Sequence, residues 1–444
     1  MRLGHWQDSK RTLFSRAISF FLALSLLILV PARLHAYAVL AHQAIIDVVW
    51  ESHLKPLLHQ HFPQATDDEL DAAEAYAYGG SIIQDLGYYP YGSPFFSDLA
   101  HYVRSGDFVA AMLHNAQDVD EYAFALGALA HYVSDNDGHP MATNRAVPML
   151  YPNLRKKYGD TITYEDDRLA HVKTEFGFDV LQVAQQRYVS DEFHDFIGFE
   201  VSQGLLERSF LQVYGLPLKT VIPGEERALN SYRHAVSKTI PQATRIAWSL
   251  KKDEIVAAEP SLTHKKFVYR LSRAQYEKEW GKEYDKPRLG DEVLACLYRL
   301  LPKFGPLRVL QFKTPTPEAE KLFEGSFNSA VTKYQSLLRQ ERTGELKLSN
   351  TNFDVGDESY PGKYRLNDEA HATLLHRLAA NKFGGISPDL RAELLSFYSH
   401  PDAPYATKKN PQAWSQLQAE VELLKQSSSA MSADPHASFG TPSH

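Results

Sequence analysis

Cysteine is nearly absent: Cys296 is the only one among 444 residues. That excludes an intramolecular disulfide framework and every Cys-rich zinc ribbon. Any metal site must therefore be assembled from His, Asp, Glu and backbone groups. Long apolar runs are also missing. The longest, Ala17 to Val30, falls short of the ~18–20 residues that a membrane-spanning helix needs. Nor is there an excess of positive charge, since 47 Lys and Arg stand against 54 Asp and Glu for a net −7. A net-acidic chain lacks the basic footprint of a nucleic-acid binder, which makes nucleic acid the less favoured partner. Alternating runs of β-branched residues are few, and no repeat of 20–50 residues is visible. What is present is ordinary globular composition, 44% hydrophobic and 23% charged, which excludes wholesale disorder. Nineteen histidines leave ample material for a metal site.

The chain opens with Arg2, Lys10, Arg11 and Arg16 before the apolar run, then Pro31 and the small residues Ala32, Ala36 and Ala38. A basic segment, a short apolar segment and small residues form the pattern of a secretory signal peptide. The expectation is a signal peptide over 1–36 and an exported chain, periplasmic or secreted, with no transmembrane span in its mature form. Cleavage after Ala36 makes Tyr37 the N-terminus; cleavage after Ala38 is the chemical alternative. Residues 1–36 hold five Lys or Arg and one Asp, so their removal takes the formal charge from −7 to −11.

Helical periodicity dominates the chain beyond residue 40. Ile45, Ile46, Val48, Val49, Trp50 and Leu54 recur at helical spacing over 41–58, with Pro56 a potential kink and Pro63 its close. Helices are expected at 67–78, 99–104, 106–115, 118–137, 166–188, 191–214 and 225–252. Residues 85–98, rich in Gly, Pro and aromatics, read as an ordered loop. Beyond 253 shorter helical patterns (263–279, 290–300, 316–340, 368–382, 388–399, 411–426) alternate with Pro-containing loops. Residues 305–314 fit a strand, and the Ser/Ala/Pro/Gly-rich tail 427–444 fits disorder. The expected fold class is all-α: a catalytic domain over 37–252, a mostly helical region of unassigned role over 253–426, and the tail.

The most informative segment is Gly127-Ala-Leu-Ala-His131-Tyr-Val-Ser-Asp135-Asn-Asp-Gly-His139-Pro-Met141. His131 and Asp135 are one helical turn apart and share a face. Gly138 and Pro140 are expected to end the helix there and turn His139 outward. Imidazole and carboxylate at this spacing suit a borderline-soft divalent cation. In this composition a His-x-x-x-Asp/Glu pair arises about twice by chance, whereas His-x-x-x-Asp-x-x-x-His is expected only ~0.05 times. The triple therefore carries information that the pair does not. Around it stand His171-x-x-x-Glu175, Asp85, His101 and His42. Taken singly, these residues would read as helix-stabilising pairs, an N-cap or core histidines. His53, His59 and His61 lie on a polar face without a suitable carboxylate and read as solvent-exposed. His264, His371, His376 and His400 also read as surface residues.

In order and spacing these residues resemble the zinc-dependent phospholipase C family, whose superfamily also holds the S1/P1-type single-strand nucleases. The resemblance spans about residues 37–215. It implies a multi-helix phospholipase C/P1 nuclease-like fold with a zinc cleft and two to three zinc ions per chain. One ion would take Asp85, His101, His131 and Asp135, and a second His139, His171 and Glu175. A third would take His42, the other oxygen of Asp135 and the N-terminal amine and carbonyl of Tyr37. Two features depart from the best-studied members: Tyr37 replaces Trp, and His139 follows Asp135 by four residues rather than six, as in the phospholipase C/D-type branch. The implied activity is hydrolysis of a phosphodiester, foremost a phospholipid, through attack by zinc-bound hydroxide. Asp85 is the candidate to orient or deprotonate the water, and Tyr88 and Tyr89 are candidate substrate contacts. The alternatives are an S1/P1-type nuclease and a zinc-containing protein without enzymatic activity.

Overall fold

The computed structural model describes residues 39–185, 187, 188, 194, 197–258 and 305–427. The expected signal peptide, Tyr37, the helices at 263–279 and 290–300, and all but the first residue of the expected disordered tail lie outside these residues.

The first helix, α1 (Val39–Val49), runs through a π-helical turn (Trp50–Leu54) into α2 (Lys55–His61). Pro56 sits at the junction of the π-helical turn and α2, where the widened turn takes up a residue that has no N–H to donate. It is therefore accommodated without ending the helical run. Helix α3 (Asp67–Gly80) starts from a capping box in which Thr66 and Glu69 satisfy each other's backbone N–H. Residues 83–102 are more regular than an ordered loop. A 3₁₀ turn (Ile83–Tyr88) leads into α4 (Pro94–Tyr102), whose first turn accepts Pro94. Then come α5 (Ser105–Asn115) and α6 (Val119–Gly138).

Helix α6 is the axis of the molecule. Its apolar residues from Tyr122 to Val133 are buried apart from Tyr132, which is half-buried; a helix apolar on almost every side belongs in the centre. Helices α1, α3 and α5 pack around it. Its contact with α3 is backbone-close. A Cβ at Gly127 would stand 2.1 Å from the Ala77 carbonyl oxygen, and one at Gly80 1.9 Å from that of Phe124. Only glycine permits this approach, and it fixes the turn of α6 that carries His131.

The chain does not stop at Gly138. His139–Thr143 form a π-helical turn that continues into α7 (Asn144–Leu150), so Gly138 and Pro140 widen the helix instead of ending it. Next come α8 (Pro152–Tyr158), α9 (Arg168–Ala184), α10 (Gln203–Tyr214), α11 (Leu218–Val221), α12 (Glu225–His234) and α13 (Ile240–Ala258).

After residue 305, the segment that fits a strand is a 3₁₀ turn (Gly305–Gln311). Val309, Leu310 and Phe312 are buried, which is the apolar signal the sequence carries. Helix α14 (Pro317–Thr343) is capped by Thr316 and presents Phe323, Phe327, Ala330, Val331, Tyr334 and Leu338 as its buried face. That face lies on α6, α1 and the π-turn at His139. Lys333 and Ser329 engage the buried Asp137 of α6. A short antiparallel hairpin pairs β1 (Thr351–Asn352) with β2 (Asp357–Glu358), Thr351 opposite Glu358. Helices α15 (Arg365–Ala380), α16 (Pro388–Phe397) and α17 (Pro411–Gln426) complete the described chain, and α15 packs on α4. One continuous apolar core joins residues from both sides of position 253.

Candidate metal centre

The eight candidate ligands inside the described residues converge. His42 comes from α1, Asp85 from the 3₁₀ turn, His101 from α4, His131 and Asp135 from α6, His139 from the π-turn, and His171 and Glu175 from α9. None is more than 4% exposed. Their donor atoms form three groups: His42, His131 and Asp135; Asp85, His101 and His131; and His139, His171 and Glu175. Within each group the atoms lie inside 4.8 Å of one another.

Asp135 is the hub. Its Oδ2 lies 3.1 Å from His131 Nε2 and 3.4 Å from His101 Nε2, while its Oδ1 lies 3.4 Å from His42 Nε2 and 4.0 Å from His139 Nε2. Asp85 Oδ1 is 3.3 Å from His101 Nε2. Glu175 Oε1 is 3.0 Å from His171 Nδ1 and 3.4 Å from His139 Nε2.

The local structure explains this convergence. Ser97 donates to the Gln84 carbonyl and accepts from Gly87 N–H, and Gln84 Nε2 donates to Ala128 O. These bonds pin the turn bearing Asp85 between α4 and α6. On α9, one turn beyond Glu175, buried Asp179 accepts the Leu40 backbone N–H at 3.1 Å. That bond anchors the start of α1, two residues before His42.

The imidazoles are held from behind. His131 Nδ1 bonds to Ser81 O at 3.0 Å and His101 Nδ1 to Ser97 O at 2.8 Å. His139 Nδ1 faces Phe353 O at 3.2 Å, and His171 Nε2 faces Asn144 Oδ1 at 3.0 Å. An oxygen acceptor requires each of these nitrogens to donate, so in the neutral ring that a cation would bind the opposite nitrogen keeps its lone pair toward the centre. The inward atoms are a buried set without hydrogen bonds: both oxygens of Asp85 and of Asp135, His131 Nε2, His171 Nδ1 and Glu175 Oε1. Buried polar atoms are seldom left so. Nitrogen and carboxylate oxygen donors in this arrangement fit zinc.

The charges agree with a site made for cations. Burial works against ionised Asp135, yet His131, His139 and His101 hold it well below the usual carboxylate range. Burial would also lower His101, but contacts with Asp135 and Asp85 push it up to about 10. His42 moves the other way, lowered by burial and by His131. Asp85 is raised by burial despite His131 and His101.

Tyr88 and Tyr89 diverge. The Tyr88 ring lies 5.9 Å from His101 and 6.3 Å from Tyr164, whose ring is 5.7 Å from His171. Tyr89 packs instead edge-on against Tyr232 at 5.1 Å. His59 and His61 are exposed, as their polar face implies, but His53 is half-buried. His376 and His400 are exposed as well, but His371 is not on the surface. It is buried, stacked on Phe397 at 3.6 Å and paired with Glu393; the apolar face of α15 carries it inward. Asn144 and Asp354 are polar residues of the site that no spacing pattern announces, whereas Asp179 extends the one-turn spacing of His171 and Glu175 along α9. Asp354 stands 3.3 Å from His139 Nδ1 across 215 residues of sequence.

Residues 41–223 match the family model described as zinc dependent phospholipase C. No curated protein and no solved structure matches the chain.

Proposed function

We propose, starting from the membership of residues 41–223 in the zinc-dependent phospholipase C family, that the chain hydrolyses phosphodiester bonds of phospholipids with two to three zinc ions. The observation that carries this reading is the bridging position of Asp135, whose two oxygens face separate sets of imidazoles. A carboxylate can serve two cations at once, one through each oxygen, and its charge separates them; an imidazole has neither property.

When bound, zinc lowers the pKa of water toward neutrality and offsets charge on phosphoryl oxygens. The chain's own residues set the rest. His139, His171 and Glu175 would bind one cation, and Asp85, His101 and His131 another. Asp85, grouped with His101 and His131, would stand beside a water held there and is suited to orienting it; as a ligand of the same cation it would be a weak base, so orientation is its larger role. The buried Tyr88 and Tyr164 rings flank the imidazoles of His101 and His171. Among the described residues no helix is long and apolar enough to cross a membrane.

A zinc-loaded sample assayed on phosphatidylcholine vesicles, single-stranded DNA and bis-p-nitrophenyl phosphate tests the reading. Release of phosphocholine and turnover of the small diester, with little DNA cleavage, is expected. Preferred cleavage of DNA would make it a nuclease, and zinc binding without turnover of any of the three a non-enzymatic zinc protein.

The reading includes export. Processing after Ala36 would leave a free amine on Tyr37, five residues before His42, with an unperturbed pKa of ~7.7–8.0 that a cation can displace near neutrality. N-terminal sequencing of the exported protein is expected to begin at Tyr37. A fully active chain retaining Met1 would remove the amine from the ligand set.

A further inference from the structure

The segment that closes the metal centre from behind lies outside the residues that match the family. The hairpin at 351–358 is fastened to the α4–α5 corner: Ser105 Oγ donates to Thr351 O at 2.6 Å, Asp107 N–H to Asn350 Oδ1 at 3.0 Å, and Phe353 N–H to His101 O at 3.2 Å. Its turn needs Gly356, where φ is +73° and a Cβ would stand 2.8 Å from Asn136 O. The hairpin thereby presses Phe353 and Asp354 against the far side of His139.

Asp354 is 2% exposed and its carboxylate is fully engaged. Oδ2 accepts from the hydroxyls of Tyr102 (2.8 Å) and Tyr364. Oδ1 faces His139 Nδ1, on the side of the ring away from Glu175 and Asp135. The Asp354 backbone carbonyl accepts from Asn144 Nδ2 at 2.6 Å, and that orients the amide so that Asn144 Oδ1 receives His171 Nε2. One residue thus reaches both imidazoles of the third donor group, directly to His139 and through Asn144 to His171.

We propose that Asp354 is the positioning residue of the ion site formed by His139, His171 and Glu175, so that a segment more than 120 residues beyond the family-matched region sets that ion's affinity. A carboxylate behind a ligating imidazole fixes its tautomer and raises the basicity of the inward nitrogen. The Phe353 carbonyl also accepts from His139 Nδ1, so the carboxylate's own part is charge more than direction.

This rests on the zinc reading above, and the test separates the two. Full-length zinc-loaded protein is titrated with a chelator while retained zinc is counted, and the same proteins are loaded with cobalt and their absorption recorded. Asp354→Asn keeps the shape and removes the charge. One ion per chain is expected to leave at ~10–100-fold lower chelator strength, with a change in the cobalt bands, while the remaining ions are held as in the parent. Tyr364→Phe removes one hydroxyl from Asp354 and leaves every ligand in place. With one donor fewer the carboxylate is more basic and Oδ1 accepts more strongly from His139 Nδ1. The same ion is therefore expected to be held a few-fold more tightly, on the order of the lower end of that range and opposite in sign to Asp354→Asn, and this variant carries the test if Asp354→Asn does not fold. Chelator curves and cobalt spectra superimposable on the parent would overturn the proposal alone. A parent protein that retains no zinc would overturn the reading on which it rests.

Discussion

Asp135→Asn is expected to strip more than one zinc from each chain and to remove nearly all hydrolysis. The substitution preserves volume, so the packing of α6 against α3 is not disturbed. It alters the group that faces both sides of the centre: Oδ2 toward His101 and His131, Oδ1 toward His42 and His139. An amide offers one oxygen, no charge, and an NH2 that would point at a cation or an imidazole. Loss of an outer partner costs ~10–100-fold in metal affinity; a shared inner ligand should exceed that at two sites together. Zinc per chain by elemental analysis and turnover of bis-p-nitrophenyl phosphate read the result. His53→Ala and His59→Ala are the controls, since His59 is exposed and His53 is half-buried and occupied with Ser52. They should change neither quantity. Equal losses from Asp135→Asn and the controls would remove the distinction between ligand and bystander.

The parts of the centre legible in the sequence are those that local periodicity writes down. His131 and Asp135 sit one turn apart on a helix whose neighbours are apolar, and His171 and Glu175 repeat the spacing; both pairs point inward. Asp85, His101 and His42 have no such local mark, and only their order along the chain, compared with a known family, ties them to the pairs. The turn at His139 is easily misread because Gly and Pro are helix breakers in water. Here tertiary contact with α14 sustains a widened turn across them. The strand pattern at 305–314 misleads for a related reason: Val309, Leu310 and Phe312 are buried, but among the described residues no neighbouring strand offers hydrogen bonds. Asp354 is beyond the reach of any such pattern. Its partner lies 215 residues away, and a single Asp in a short hairpin obeys no spacing that chemistry would enforce. The sequence shows which residues a helix face groups together; which distant loop completes their surroundings is decided by packing.

Removing the metal should be the largest single perturbation of stability. The inward atoms of Asp85, Asp135, His131, His171 and Glu175 face other members of the set at 3.0–3.4 Å, so an ion shared among them would couple its binding to the fold. A cation at ~1,000 times its dissociation constant stabilises the folded chain by about 4 kcal/mol per site, so chelation should lower Tm by roughly 8 °C or more. The size of this drop should depend on pH in a definite direction. In the zinc-free protein burial would lower His101, but Asp135 and Asp85 raise it to about 10. A group raised above its unfolded value of ~6.5 stabilises fully below that pH, and its contribution is lost as pH climbs through the folded value. The zinc-free protein therefore weakens between pH ~6.5 and about 10 on account of His101. Zinc displaces that proton, so the loaded protein is spared this loss, and falling proton competition strengthens its hold on the ion over the same range. Stability and zinc affinity express one proton linkage here: the gap in Tm between loaded and chelated protein should widen from about pH 6 to about pH 9. At about pH 7.5 zinc uptake should release protons, visible as a calorimetric heat that changes with the ionisation enthalpy of the buffer. A gap that narrows with rising pH would mean that His101 does not surrender a proton to the metal. No drop in Tm on chelation at any pH would mean that these side chains hold no ion.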